Sequence, residues 1–143
     1  MASLKNAGSR LEDVKVHVRF KMSALWASVM FLYIYADYFE LYQPGGVLHD
    51  MLQGKMAPFG SVTQGILVGT SAMMALPSLM IFLSLALKPK VNRVLNITLG
   101  IIYTLIIVAT MPGSWDFYLM SGALEIVLTL LIAWYAWSWP RQD

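Results

Sequence analysis

The sequence contains no cysteine and only two histidines among its 143 residues. The absence of cysteine excludes disulfide scaffolds, thiol redox chemistry and thiolate metal sites. His17 and His49 fall on opposite sides of the membrane in the topology predicted below, so we expect no metal site and no haem ligated by two imidazoles. The sequence also lacks a serine-histidine constellation and a glycine-rich phosphate loop, and we expect no bound cofactor.

Charge is scarce as well, because charged residues make up 13% of the chain and hydrophobic residues 58%. Soluble proteins carry about twice that share of charge. No Asp, Glu, Lys or Arg occurs between residues 56 and 87 or between residues 94 and 115. Runs of this length suit the roughly 20 apolar residues that a membrane-crossing helix needs. The net charge of +2 is too small to indicate a nucleic-acid partner.

Four apolar segments predict an all-α fold, a transmembrane up-down four-helix bundle. Turn-forming residues separate the segments, and short connections favour antiparallel neighbours. Residues 1–21 are predicted to form a cytoplasmic segment and residues 140–143 a cytoplasmic tail, flanking a membrane domain over 22–139. The predicted spans are 22–41, 61–87, 94–111 and 115–139.

The positive residues are distributed very unevenly around these spans. Lys55 alone lies in the loop between the first and second spans, and the other nine lie beside the opposite ends of the spans. The positive-inside rule therefore places both termini in the cytoplasm and the loop 43–60 outside. The nine residues are Lys5, Arg10, Lys15, Arg19, Lys21, Lys88, Lys90, Arg93 and Arg141.

Glu125 is the most informative single residue, because it lies near the middle of the fourth span. At helical rise it falls about 13 Å below the outer boundary, where insertion of a charged side chain costs about 2.5 to 3.5 kcal/mol. We expect it to face the interior and to be protonated, paired or solvated. Tyr118, Ser121, Gly122 and Thr129 share its helix face. Two readings stay open, a functional carboxyl and a protonated packing group that hydrogen-bonds a neighbouring helix.

The first span carries a second acidic face that includes Tyr33, Asp37 and Glu40. If the first and fourth helices pack side by side, Tyr33 and Asp37 approach Glu125 from the outer half. The pattern predicts an outward-facing acidic pocket in which Tyr33 or Tyr118 donates a hydrogen bond to Glu125. In the alternative reading, Glu40 and Asp37 simply reach interfacial water.

Other residues indicate close packing between helices. Gly65 and Gly69 form a small-xxx-small pattern that lets another helix approach, either within the chain or in an oligomer. Asn96 lies on one side of the third span with Asn92, Gly100, Tyr103 and Thr110, where we expect hydrogen bonds between helices.

Four sequence blocks carry a family resemblance, namely Leu25-Trp26 with residues 30–41, residues 77–84, residues 88–96 and residues 134–140. Together they resemble an uncharacterised family of small bacterial four-helix membrane proteins, similar in size and layout to DoxX-like proteins. The resemblance covers about residues 11–140 and implies a fold and a bacterial inner-membrane setting, but no activity. It also implies that the acidic block around Asp37 and the acidic residue of the last helix recur in the family.

Two functional hypotheses follow. In the first, the acidic pocket binds or translocates a proton, a cation or a small amphiphilic ligand. In the second, the chain is a non-catalytic accessory or assembly subunit whose polar residues fix helix packing. An enzyme acting on a lipid would need a nucleophile paired with a base, and the sequence shows none. We expect the lipid bilayer to surround the protein. Within the bilayer, the expected protein partner is either a second copy of the chain or another membrane protein.

Overall fold

The structure of the protein, a computed structural model, describes residues 14–140. The predicted helical class is confirmed, since 76% of the structure is helix. The predictions for Lys5, Arg10 and Arg141 lie outside the described residues. The elements are α1 (Val18–Glu40), α2 (Val47–Leu52), β1 (Lys55–Met56), β2 (Gly60–Ser61), α3 (Gln64–Ala86), α4 (Pro89–Thr110) and α5 (Asp116–Trp137).

Three of these helices, α3, α4 and α5, are long and apolar enough to cross a membrane. The chain is therefore compatible with an integral membrane protein. Helix α1 is as long as α3 but is not in this group of three. Its tyrosines, together with Arg19, Lys21 and Asp37, make it less apolar.

Helices α1 and α4 each begin several residues before the start of the corresponding predicted span. α4 starts at Pro89, which occupies the first turn after an extended Lys88, where proline is favoured because its fixed φ suits the helix. α1 starts at Val18, with the His17 side chain accepting from the Arg19 backbone N–H at 3.3 Å. Charged residues limit an apolar segment but not a helix, so these helices extend beyond the predicted spans.

The long connection between α1 and α3 has structure of its own. It holds the short helix α2 and a two-stranded antiparallel hairpin with Lys55 opposite Ser61. Gly54 adopts a φ of 67°, a left-handed conformation that glycine tolerates readily, and its carbonyl accepts from Val62 N–H at 2.8 Å. Because of this hairpin, α3 begins only at Gln64, and residues 61–63 of the predicted second span are not helical.

The long helices pack through a shared apolar core. α5 packs against both α1 and α4, and α1 also packs against α3, whereas α3 and α4 touch little despite their short connection. The short connection between α4 and α5 therefore joins two helices that pack closely, whereas the short connection between α3 and α4 joins two helices with little contact. The core cluster consists of Trp26, Val29, Met80, Tyr103 and Ile132.

Gly100 marks a close approach between α4 and α5. A Cβ atom added there would lie 2.9 Å from the Thr129 carbonyl oxygen and 3.3 Å from the Ala133 Cβ. Gly69 has no heavy atom within 4 Å of such a Cβ, and Gly65 meets only the Thr63 hydroxyl of its own helix entry, at 3.9 Å. The close helix approach within the chain thus occurs at Gly100 rather than at Gly65 and Gly69.

Candidate functional site

A buried hydrogen-bond network centred on Asn96 ties α1, α3 and α4 together. Asn96 Oδ1 accepts from Trp26 Nε1 at 2.8 Å and from the Ser84 hydroxyl at 3.3 Å. Its amide nitrogen donates to Asn92 Oδ1 at 2.6 Å, and Asn92 Nδ2 donates to the Ser84 carbonyl at 2.5 Å. Every polar group in this network has a partner, so it serves packing rather than ligand binding.

Hydroxyl groups make further links between the helices. Ser23 donates to the Ile81 carbonyl at 2.7 Å, and the Thr104 and Thr129 hydroxyls lie 2.7 Å apart. The Tyr103 hydroxyl donates to the Met73 carbonyl. The links through Ser23, Ser84 and Thr104 were not predicted from the sequence. Their signal was weak, because an isolated hydroxyl in an apolar helix bonds its own backbone as readily as a neighbouring helix.

Glu125 differs from the other buried polar side chains. It is 5% exposed, as expected from its helix face, and Gly122 and Thr129 on that face are also buried. Ser23, Ser84, Asn92, Asn96 and Thr129 each make a side-chain hydrogen bond. Among residues 14–140 the Glu125 carboxyl makes none, although its backbone carbonyl accepts from Thr129 at 2.9 Å.

The Glu125 carboxyl nevertheless keeps access to the surface. Within the described chain, every fully enclosed side-chain nitrogen or oxygen atom has a hydrogen-bond partner. Since the Glu125 oxygens have no such partner, they are not fully enclosed. The carboxyl therefore keeps unfilled hydrogen-bonding capacity and a small accessible area.

The structure brings the predicted site residues of α1 and α5 into one region. Glu125 lies within electrostatic range of Asp37 and Tyr33, and Tyr118 lies within range of both carboxylates and of Glu40. Asp37 is exposed, whereas Tyr33, Glu40 and Tyr118 are half-buried. Side-by-side packing of α1 and α5 accounts for this arrangement.

The tyrosine hydroxyls do not hydrogen-bond the buried carboxyl in this arrangement. The Tyr118 hydroxyl donates to the Thr110 hydroxyl at 3.2 Å, across the connection between α4 and α5. Within the described part of the chain, neither Tyr33 nor Tyr118 hydrogen-bonds Glu125. The electrostatic environment of Glu125 is therefore set by its burial and by the nearby Asp37 rather than by a fixed donor.

The acidic region does not have the form of a metal centre or of a large ligand cavity. In the described residues, no three His, Cys, Asp or Glu side chains are grouped to hold a metal ion. Two surface cavities lie elsewhere, one at the opposite end of the helices and one between α4 and α5, and Glu125 lines neither.

Comparison with known proteins identifies the family. Residues 12–143 match DUF6326, a family of unknown function. The chain belongs to this family. The match agrees with the resemblance in the sequence blocks and covers nearly the whole chain, including the Asp37 region and Glu125. No curated protein and no solved structure shows a significant match to the chain.

Proposed function

We propose that this DUF6326 protein is an integral membrane protein that binds, and in its working cycle translocates, a proton or a small monovalent cation at Glu125. Asp37 acts as the charge partner of Glu125, and Tyr33, Glu40 and Tyr118 complete an acidic site open to the outer side. The amphiphilic ligand considered from the sequence is less well supported, because Glu125 lines neither of the two surface cavities.

One observation carries the proposal. Within residues 14–140, Glu125 is buried without a side-chain hydrogen bond, whereas the other buried polar side chains there have partners. Burial of an unpaired carboxyl is unfavourable, and inside a membrane such a residue is a functional candidate by default. A carboxyl that served only packing would be expected to hydrogen-bond a neighbouring helix, as Asn96 does.

The neighbouring carboxyl supports exchange of a proton or a cation. Asp37 lies on α1 within electrostatic range of Glu125 and is exposed. Two carboxylates that interact in a low-dielectric region resist simultaneous ionisation unless a proton or a cation is shared between them. The exposed Asp37 would receive the ion from the outer side, and the buried Glu125 would hold it.

We also propose the setting of this site, a four-span bundle in a bacterial inner membrane with both termini in the cytoplasm. The distribution of charge supports it. Lys15, Arg19, Lys21, Lys88, Lys90 and Arg93 precede α1 and α4 or lie in their first turns. Asp37, Glu40 and Asp116 lie at the other ends, near the loop that contains Lys55. The positive-inside rule orients such a chain with its basic end in the cytoplasm.

The decisive experiment is a measurement of ion flux into proteoliposomes. Proton and monovalent-cation fluxes would be compared for the wild type, Glu125→Gln and Asp37→Asn at equal protein content and monodispersity. We expect flux in the wild type, its loss in Glu125→Gln and a reduction in Asp37→Asn. Asp116→Asn is the matched control, because it removes one carboxylate from an exposed position on the same helix and should leave the flux unchanged.

An accessory or assembly role is the second candidate, and the Asn96 network favours it, since polar residues there clearly serve packing. Under that role the wild type carries no flux under any gradient, and Glu125→Gln changes the stability of the protein or its capture of a partner. Absence of wild-type flux would therefore refute transport and leave this role as the explanation.

A further inference from the structure

The basic end of the molecule contains a cavity that the acidic site does not use. It has a volume of about 1230 Å³ and lies between the start of α1, the start of α4 and the end of α5. Arg19, Lys21, Lys90 and Arg93 line it together with aromatic residues that include Trp134 and Trp139. None of the described residues that line it is acidic.

The two arginines of this cavity are held in place by helix ends and aromatic rings. Arg19 donates to the Leu85 carbonyl at 3.0 Å and lies 5.6 Å from the ring centre of Trp139. Arg93 donates to the Trp137 carbonyl at 3.0 Å and lies 5.8 Å from that residue's ring. A guanidinium has five N–H donors, so each arginine keeps donors for an anion.

The two lysines complete the positive lining. Both Lys21 and Lys90 are exposed, and Lys21 Nζ lies 5.2 Å from the ring centre of Tyr135. Within residues 14–140 neither lysine is engaged by a carboxylate. Four cations that converge on one cavity, without an acidic residue in its lining, match an anion such as a phosphate group.

An apolar groove adjoins this cavity and fits a hydrocarbon chain. The groove lies between α4 and α5, and its lining is aliphatic except for Trp134 and Trp137. Trp134 lines both the cavity and the groove, and Arg93 of the cavity contacts Trp137 of the groove. A charged compartment that continues into an apolar one matches the two parts of a phospholipid.

We propose that this composite site binds one anionic phospholipid, with its phosphate headgroup in the basic cavity and an acyl chain in the groove between α4 and α5. The tryptophans lie where the headgroup meets the chain, as is usual for this residue at a membrane interface. The proposal is independent of ion transport, because none of its residues belongs to the acidic site.

The test measures binding of phosphatidylglycerol to the full chain purified in a neutral detergent, by native mass spectrometry at low salt. Phosphatidylcholine with the same acyl chains is the comparison lipid. The double variant Lys21→Gln/Lys90→Gln should weaken phosphatidylglycerol binding about 30-fold, from about fivefold for each cation. Lys15→Gln/Lys88→Gln is the matched control, since it removes equal charge at the same end from residues outside the cavity lining.

A groove variant tests the acyl chain separately. Leu130→Trp places a larger side chain in the groove and should weaken phosphatidylglycerol binding, whereas Leu124→Trp, at an equally exposed position outside its lining, should not. Lys21→Arg/Lys90→Arg preserves the charge and should bind as the wild type does. This variant keeps the test valid if the glutamine variants fold poorly.

Several results would overturn the proposal. Equal wild-type affinity for phosphatidylglycerol and phosphatidylcholine would show that the charge has no role. Equal losses of phosphatidylglycerol binding in the two glutamine double variants would show that the cavity has no specific role. Competition by inorganic phosphate at the concentration at which phosphatidylglycerol binds would assign the cavity to a soluble anion instead of a lipid.

Discussion

The indole Nε1 of Trp26 donates a hydrogen bond to Oδ1 of Asn96 at 2.8 Å, and both side chains are completely buried. This bond joins α1 directly to α4. Because the Trp26 indole N–H would lose its partner if the helices slid apart, the bond favours one alignment of the two helices. The ring of Trp26 also packs edge-on against Tyr103, with ring centres 5.9 Å apart, so the same contact combines a polar and an apolar constraint.

Replacement of Asn96 by leucine should destabilise the protein. The substitution removes the partner of the Trp26 indole N–H and of the Asn92 side-chain oxygen, and we expect a loss of about 1 to 3 kcal/mol in the free energy of unfolding. Ser28→Ala is the control, since Ser28 is exposed and bonds only the Ala24 carbonyl of its own helix. Unfolding in detergent by SDS titration would measure both. A loss no larger than that of Ser28→Ala would contradict the role of the network.

The two glycines Gly100 and Gly69 should respond differently to the same substitution. Gly100→Ala brings a Cβ within 2.9 Å of the Thr129 carbonyl and should cost about 1 to 3 kcal/mol, as overpacking does. Gly69→Ala meets nothing within 4 Å and should be neutral or stabilise the helix by up to about 1 kcal/mol. The same unfolding titration applies. Destabilisation by Gly69→Ala together with loss of an oligomer would instead show that a second chain packs on α3.

Removal of the buried carboxyl should not weaken the fold. Glu125→Met preserves the length of the side chain and removes a buried carboxyl that has no hydrogen bond within residues 14–140, so we expect unchanged stability or a gain of about 1 to 3 kcal/mol. Thr129→Val, one turn away, should be destabilising, because it removes the contact with Thr104. A clear loss of stability in Glu125→Met would indicate a packing role and would argue against the proposed ion site.

The proposed topology can be tested with single cysteines, because the chain has none of its own. Leu52→Cys lies in the connection between α1 and α3 at a position 81% exposed, and Lys88→Cys lies at the start of α4. A membrane-impermeant maleimide should label Leu52→Cys in intact cells and Lys88→Cys only after permeabilisation. The reverse pattern would invert the orientation, and labelling of both in intact cells would refute the even number of spans.

Much of the fold was predictable from the arrangement of apolar and charged residues. Long runs without charge predict helices over most of α3 and α4, and the apolar segment 115–139 predicts α5, since only a helix satisfies its own backbone in an apolar environment. Helix periodicity also predicted that Glu125 and Asn96 face the interior, and both are buried. These are local properties. They depend on residues a few positions apart and can therefore be inferred from short stretches of the sequence.

The tertiary structure alone decided which helices meet and at which residues. Gly65 and Gly69 have the same local signature as a packing motif, yet the close approach occurs at Gly100. Trp26 and Asn96 are 70 positions apart, and no local pattern specifies their pairing. The basic cavity and its adjoining groove likewise arise from the ends of separate helices. Residue identity determines burial and helicity, but a contact also requires the relative placement of two helices, which is settled by packing of the whole core.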